Sequence, residues 1–366
     1  MTDALIWLVA LPLGGALAAL LLPRAAGAVV IASGLGTSMA AGALLYGVAT
    51  HGPLQYAIGG WPAGLGIALR ADGLSALLVM MTALVALAAS VYSSAYFNTA
   101  RQRARFAPLW LLLWTALNAL LLSGDLFNLY VTLELLGLSA VALAALAGSA
   151  AAVQAALRYL LVGLLGSMLF LAGVSLIYAG YGTLDLAALA QLVEAGPAVW
   201  PALALMTAGL LLKTALFPLH FWLPPAHASA PAPVSAVLSA LVVKAAFYLV
   251  LRLWLDVFAD AVTTAGAVLL GVLGAGAVLW GSWCALHAAR LKLLAAYSTV
   301  AQIGYLFLFL PLILQWAEGP ARQAGLAGRV LMALTQGFAK SALFLAAGVV
   351  QQHAGHERNG DLGGTA

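Results

Sequence analysis

The sequence has few charges and a single cysteine, and both shortages restrict what the chain can be. Only 7% of its 366 residues are Asp, Glu, Lys or Arg, whereas 64% are hydrophobic. A water-soluble domain needs polar residues to cover its outside, so this composition excludes one. It predicts an all-α protein that crosses a membrane many times. The lone cysteine, Cys284, excludes an internal disulfide and a cluster of thiolate metal ligands.

Motifs for nucleotide, cofactor and metal binding are also missing. The chain has no P-loop, no dinucleotide fingerprint and no G-x-S-x-G elbow, so we predict no bound cofactor. His220 and His227 flank Pro224 and Pro225, but no carboxylate or cysteine lies near them, so we predict no metal site. The net charge of +4 is spread over short loops and apolar runs and does not indicate nucleic-acid binding.

Apolar runs predict about eleven membrane-spanning helices of about 20 residues each. The N-terminus carries Asp3 and no basic segment, so we expect it to be a retained helix rather than a cleaved signal. The connector 51–73 alternates weakly and predicts a short hairpin at the membrane surface, and the connector 182–194 predicts a short amphipathic helix. The predicted spans are 4–22, 27–49, 74–96, 108–122, 126–147, 156–180, 199–217, 234–253, 263–288, 293–315 and 328–350.

The distribution of Lys and Arg between connectors predicts the orientation of the chain. One face receives more of them, chiefly through a connector that contains Arg101, Arg103 and Arg105. The positive-inside rule places this face in the cytoplasm and the N-terminus outside. We therefore expect a multi-pass protein with its N-terminus outside. A separate expectation is that the membrane is the bacterial cytoplasmic (inner) membrane.

Charges within the predicted spans are rare, so each one is informative. Glu134 is the one acid that we place in mid-span, and Lys213, Lys244 and Lys340 are the buried bases. We assign Lys292 to a connector and no arginine to a mid-helix position. Each mid-membrane charge costs on the order of 2.5–3.5 kcal/mol, and such residues are typically functional. A Glu–Lys pair that opens and closes could relay protons, whereas the structural alternatives are a fixed salt bridge or a snorkelling lysine.

Pro218 predicts a break in the seventh span. Proline has no N–H to donate to the carbonyl of Thr214 and its ring crowds that carbonyl, so the helix should end one residue after Lys213. A cation beside a broken helix at membrane depth is typical of ion pathways. His220 follows the break, and we predict that it is a hydrogen-bonded link in a proton path.

Four segments carry a resemblance to a known family. The segments are SGDLFNLYVTLELL (123–136), LLKTALFPLHFWLPPAHASAPAPVSAVLSALVVKAAFYLVLR (211–252), LLAAYSTVAQIGY (293–305) and FAKSALFLAAGVV (338–350). By these segments the chain resembles the antiporter-like, proton-conducting membrane subunits of respiratory complex I, membrane-bound hydrogenases and Mrp-type sodium/proton antiporters. The approach to Glu134 is most similar to the D-type component of Mrp antiporters and its hydrogenase relatives.

The resemblance implies about fourteen helices, with inverted five-helix repeats at helices 4–8 and 9–13. It implies that Glu134 and Lys213 form the modulating pair of the first half-channel. Lys244 on helix 8 would pass protons toward the centre, and Lys340 on helix 11 would continue the hydrophilic axis. The expected divisions are helices 1–3 (1–106), the first repeat with its broken helix 7 (107–253), and an incomplete second repeat with a polar tail (254–366).

Three departures from the family pattern affect these expectations. The sequence ends at DLGGTA, where the family enters its twelfth helix, so we expect either a fragment or a degenerate member. Gln336 stands where many members have histidine, and glutamine cannot take up a proton at neutral pH. Arg290 stands beside Lys292, where the family commonly has an acid.

Together these features predict a proton-translocating subunit of a multisubunit sodium/proton antiporter, with other membrane subunits of the complex as partners. Sodium passage through this subunit or through a partner fits the residues equally well. The alternative is a proton-pumping subunit of a complex I-like NADH–quinone oxidoreductase or of a membrane-bound hydrogenase. A more remote alternative is a membrane-embedded enzyme that uses His220 or His227, although no nucleophile–base cluster accompanies them.

Overall fold

A computed structural model describes residues 2–61, 66–315 and 319–356 of the chain. Within these residues, 10 helices are long and apolar enough to cross a membrane, and Val199–Thr214 is a shorter apolar helix. These helices coincide with the eleven predicted spans. The all-α, multi-pass membrane fold is therefore confirmed.

The helices follow one another with short connections, and one of them is composite. The central span (Ala232–Val257) contains α10, a π-helical turn at Leu238–Val242, α11 and a second π-helical turn at Leu253–Val257. Its most apolar stretch is entirely buried, so it forms the middle of the bundle. The helices are α1 (Asp3–Leu21), α2 (Ala26–His51), α3 (Gly73–Tyr96), α4 (Ala100–Leu121), α5 (Leu126–Ala145), α6 (Ala150–Tyr181), α7 (Leu186–Leu192), α8 (Val199–Thr214), α9 (Leu223–Ser229), α10 (Ala232–Val237), α11 (Val243–Arg252), α12 (Thr264–Leu286), α13 (Leu291–Leu308), α14 (Leu310–Gln315) and α15 (Pro320–Ala354).

Both predicted surface elements are present. Strands β1 (Leu54–Ala57) and β2 (Ala68–Ala71) pair antiparallel, and α7 is the short helix expected in the connector 182–194. The hairpin packs on the start of α5, because the N–H of Gly124 donates to the carbonyl of Ala68 at 2.9 Å. We call this side of the bundle the hairpin face.

The opposite side, at the far end of α3, holds Arg101, Arg103 and Arg105, and we call it the arginine face. These residues were predicted to lie in a connector before a helix starting at 108. Instead they lie in the first two turns of α4, because Thr99 and Gln102 form a capping box that starts the helix at Ala100.

Two basic residues assigned to connectors are buried, which corrects the predicted set of intramembrane charges. Arg329 is 5% exposed within α15, so the expectation that no arginine lies in mid-helix was wrong. The helix starts at Pro320 rather than at 328, because proline is favoured at the first position and Ala, Arg and Gln are good helix formers. Lys292 is 3% exposed in the first turn of α13, and its ammonium donates to the carbonyl of Ala230 at 2.6 Å. The predicted polar tail after residue 350, which was expected to contain His353 and His356, begins inside α15, because the helix continues to Ala354; residues 357–366 lie outside the described residues.

An ion cluster fastens the central span to the hairpin face. The Arg252 guanidinium contacts Asp72 at 2.5 Å and Asp256 at 2.8 Å, and its Nε donates to the Tyr248 hydroxyl at 2.9 Å. Burial alone would raise the pKa of Asp72, but the charge and hydrogen bond of Arg252, together with hydrogen bonds from Ser75, hold it below 3.8. Asp72 is thus a charged anchor at the start of α3.

Candidate functional site

The break in the seventh span lies where the proline predicted it. Helix α8 ends at Thr214, one residue after Lys213, and Ala215 adopts a left-handed conformation with φ 55°. A carbonyl freed by the break is satisfied, because Trp222 Nε1 donates to Leu212 O at 2.9 Å. The local sequence therefore stops a helix at membrane depth and leaves Lys213 in its last turn.

Glu134 and Lys213 meet between α5 and α8, as the resemblance implied. Lys213 Nζ lies 3.7 Å from Glu134 Oε2, and the side chains are 9% and 22% exposed. The Ser167 hydroxyl, from α6, makes a short hydrogen bond to the same carboxylate oxygen. Three helices thus converge on one partly buried ion pair.

Glycines bring these helices close enough for the pair to form. A side chain on Gly209 of α8 would collide with the backbone carbonyl of Gly166 on α6 and would meet Phe170 N at 2.9 Å. A side chain on Gly137, one turn after Glu134, would reach Lys213 Nζ at 3.4 Å. The small residues therefore set the position of the ammonium group.

A second cluster surrounds the other two predicted lysines. Lys244 is 4% exposed, and its ammonium donates at 2.9 Å to the carbonyl of Ser239, within the first π-helical turn. The hydroxyls of Ser239 and Thr299 lie 2.7 Å apart. The neighbouring Ser298 accepts a short hydrogen bond from Lys340, which is 2% exposed. Hydroxyls on the central span and α13 thus lie between Lys244 and Lys340.

His227 belongs to this second cluster, although the sequence analysis considered it only as a metal ligand, which we rejected, and as a residue of the remote enzyme alternative. It is fully buried, neither ring nitrogen has a hydrogen-bond partner among the described residues, and the charges of Lys244, Lys292 and Lys340 act on it. Its ring lies 5.5 Å from that of Phe344. One sequence feature could have indicated its burial: His227 lies in the short segment that joins the broken helix to the central span.

The two clusters are separate in this conformation. In the part of the chain that is described, no hydrogen bond joins Lys213 to Lys244. A cavity of about 20 Å³, lined by Lys213, Trp222 and Val242 among others, is large enough for one water. Lys244 is two residues from Val242 and so projects from another side of the central span. The conformation therefore holds the ion pair apart from the lysine cluster.

His220 lies in the turn between α8 and α9 and is 8% exposed. Its ring packs on Phe217 with the centroids 5.6 Å apart. No hydrogen bond within the described ranges connects it to either cluster, so its place in a proton path stays a prediction. Over the same ranges, no group of three or more His, Cys, Asp or Glu side chains could hold a metal ion.

A cavity of about 310 Å³ opens at the arginine face and reaches the lysine cluster. Its lining includes Tyr96, Arg105, Ser229, Lys292 and Gln351. Lys292 is 3% exposed, and its ammonium donates to the carbonyl of Ala230, which lines the same cavity. The cavity thus brings polar groups from the surface to the edge of the second cluster.

The chain is similar to known membrane subunits over most of its length. The family model described as NADH:quinone oxidoreductase/Mrp antiporter, TM, matches residues 123–364. The N-type component of the NADH-quinone oxidoreductase of Desulforudis audaxviator is 37% identical over 99% of this chain and 72% of its own length. The D-type component of the Na⁺/H⁺ antiporter of Bacillus subtilis is 29% identical over 84% of this chain and 62% of its own length.

A solved structure has the same fold. A chain in the Mrp complex of Dietzia sp. superposes with a TM-score of 0.88 and 31% identity, over 98% of this chain and 66% of its own length. The chain thus spans between about three fifths and three quarters of these proteins. It belongs to the NADH:quinone oxidoreductase/Mrp antiporter family and is an antiporter-like, multi-pass membrane subunit of the Mrp or complex I type.

Proposed function

We propose that this chain conducts protons across a membrane as one subunit of a larger complex, using Glu134, Lys213, Lys244 and Lys340. The observation that carries the proposal is the partly buried Glu134–Lys213 pair, 3.7 Å apart, beside a helix that ends one residue later. Ionisable groups at such places are typically part of ion and proton pathways.

The pair can act as a switch because burial makes a lone charge unfavourable. While Glu134 is close, the carboxylate stabilises the Lys213 ammonium. When the pair opens, the ammonium loses that partner in a poorly solvated site and releases its proton. Lysine suits this role because its proton affinity responds to burial, whereas arginine remains charged.

We further propose that His227 carries protons between the ion pair and the lysine cluster. An imidazole can both accept and donate a proton. Burial and the positive charges of Lys244, Lys292 and Lys340 disfavour the protonated ring, so His227 would hold a proton only transiently, and Lys292 also lines the cavity at the arginine face. That cavity is the proposed entry for water and protons. By the positive-inside rule it faces the cytoplasm, with the N-terminus outside the bacterial inner membrane.

The complex we favour is a Mrp-type sodium/proton antiporter, in which this chain is the D-type component and the other membrane subunits are its partners. The SGDLFN segment at 123–128 and the similarity to the Dietzia Mrp complex support this choice. The second candidate is the N-type component of an NADH–quinone oxidoreductase, which the 37% identity over 99% of the chain favours. We also keep as a proposal the division of the chain into helices 1–3 (1–106), a first repeat (107–253) and an incomplete second repeat (254–366).

Substituting Lys213 by arginine distinguishes a proton relay from a fixed salt bridge. Lys213→Arg keeps a positive charge that can pair with Glu134 but cannot release its proton. We expect both Lys213→Arg and Lys213→Met to abolish proton transport in membrane vesicles that contain the assembled complex. Transport by Lys213→Arg at the wild-type rate would show that the pair is only structural.

The same vesicles separate the two candidate complexes. Sodium added to energised vesicles collapses the pH gradient if the complex is an antiporter. NADH added with a quinone builds a gradient if it is an oxidoreductase. Lys213→Met should remove whichever signal the wild type gives.

A further inference from the structure

Three buried polar side chains lie between Lys340 and the hairpin face, and none has a role in the relay proposed above. Gln302 on α13 and Gln336 on α15 each have a buried carbonyl oxygen without a partner, and Arg329 has three such nitrogens, in the part of the chain that is described. Arg329 is 5% exposed and Gln336 is 7% exposed. Buried polar atoms without a protein partner are ordinarily hydrogen-bonded to water.

The helix directions place these groups in one line. Lys292 at the start of α13 and Gln351 near the end of α15 line the same cavity at the arginine face, so the two helices run antiparallel. Lys340 contacts Ser298 across them. One turn further toward the hairpin face, Gln302 therefore lies opposite Gln336.

Arg329 lies at the far end of this line. It precedes Lys340 by eleven residues, which is about 16 Å along a helix and about half of the hydrocarbon thickness. Gly337 packs on Met81 and Gly348 on Tyr92, so α15 runs parallel to α3 in constant register. That register puts Arg329 level with the start of α3, beside the hairpin face.

We infer that a water-filled branch leads from Lys340 past Gln302 and Gln336 to the hairpin face, and that Arg329 closes it electrostatically. Neither glutamine titrates, so each can only hold water, and a proton leaving the Lys340 ammonium would pass to the first water of the branch. The Arg329 guanidinium stays charged, so it repels a proton carried by that water. The inference rests on the proposed proton path. It adds a barrier to that path, because a closed branch prevents protons from leaking back across the membrane.

Removing the barrier should make the complex leak protons. In vesicles with the assembled complex at rest, we expect Arg329→Gln to raise passive proton flux several-fold under an imposed potential. Arg329→Lys places there a cation that can release its proton when it is buried without a partner, so its flux should lie between those of the wild type and Arg329→Gln. Adding Gln336→Leu to Arg329→Gln should reverse the leak, because leucine cannot hold water. If the Arg329→Gln complex assembles normally and leaks no more protons than the wild type, Arg329 is not a barrier.

Thiol labelling tests the water itself and does not depend on transport. With the single native cysteine replaced by Cys284→Ala, we expect Gln336→Cys and Gln302→Cys to react with a small membrane-impermeant thiol reagent added at the hairpin face. Val174→Cys, buried in α6, is the unreactive control. If Gln336→Cys and Gln302→Cys react no faster with the reagent than Val174→Cys, the water-filled branch does not exist. This result is independent of the Lys213 variants, which test the relay itself.

Discussion

The Ser167 hydroxyl donates a hydrogen bond to Glu134, and among the described residues it has no hydrogen bond to another member of the proposed relay. A hydrogen bond to a carboxylate contributes about 1.5–3 kcal/mol. It therefore holds the Glu134 carboxylate in place beside Lys213 and helps to keep the pair closed. Ser167 thus tunes the switch without carrying a proton itself.

We expect Ser167→Ala to lower proton flux by about tenfold, which corresponds to about 1.4 kcal/mol, while the complex still assembles. The measurement is the initial rate of proton movement in vesicles, normalised to the amount of complex. Ser175→Ala, an exposed serine two turns further along α6, is the matched control. Equal rates for the two variants would mean that Ser167 does not affect the switch.

His227 is predicted to be essential to the relay. His227→Gln keeps a polar side chain of similar size but cannot exchange a proton at neutral pH. We expect proton flux to fall to the background of vesicles without the complex, whereas His353→Gln, an exposed histidine near the end of α15, should transport normally. Wild-type flux in His227→Gln would remove His227 from the path.

Individual site residues could be predicted from the sequence wherever a charged residue interrupts a long apolar run. Glu134 and Lys213 were predicted for that reason, and the structure brings them together. His227 and Arg329 were missed because their burial depends on how the chain folds back over them. A histidine near prolines and an arginine near a helix start look like surface residues until their neighbours are known.

Among the structural elements, α6 and α8 depend on glycine for their spacing. We expect Gly209→Val to separate them, at a cost of about 1–3 kcal/mol from overpacking, and to move Lys213 away from Glu134. Both a lower melting temperature of the complex and a loss of flux should follow. Gly180→Val, at a position in α6 where a side chain meets open space, should change neither property. If Gly209→Val retains wild-type melting and flux, close packing is not what positions Lys213.

The sequence predicted helix boundaries best where residues within one turn of the boundary determine it. Pro218 ended α8 at the expected residue, because a missing N–H and a steric clash act within one turn. The start of α15 was misplaced, because helix-forming residues outside the apolar run extend the helix. The π-helical turn before Lys244 has no proline or glycine within it, and no sequence feature indicated it.

At the hairpin face, the cluster of Asp72, Arg252 and Asp256 joins the start of α3 to the central span of the bundle. We expect Asp72→Asn to lower stability by about 1–3 kcal/mol, because it leaves the buried guanidinium with one carboxylate fewer. The folded pKa of Asp72 lies below 3.8, so its contribution is fully present above that pH and is lost as the pH falls further. The melting temperature of the complex at neutral pH measures the effect, and identical melting of the two proteins would contradict it.

The central claim is that protons cross the membrane through this chain by way of Glu134. Its most direct test is the proton flux of vesicles that hold the assembled complex with Glu134→Gln, which keeps the shape of the side chain and removes its charge. We predict flux at the background of vesicles without the complex, with normal assembly. Wild-type flux from the same amount of assembled Glu134→Gln complex would contradict the account.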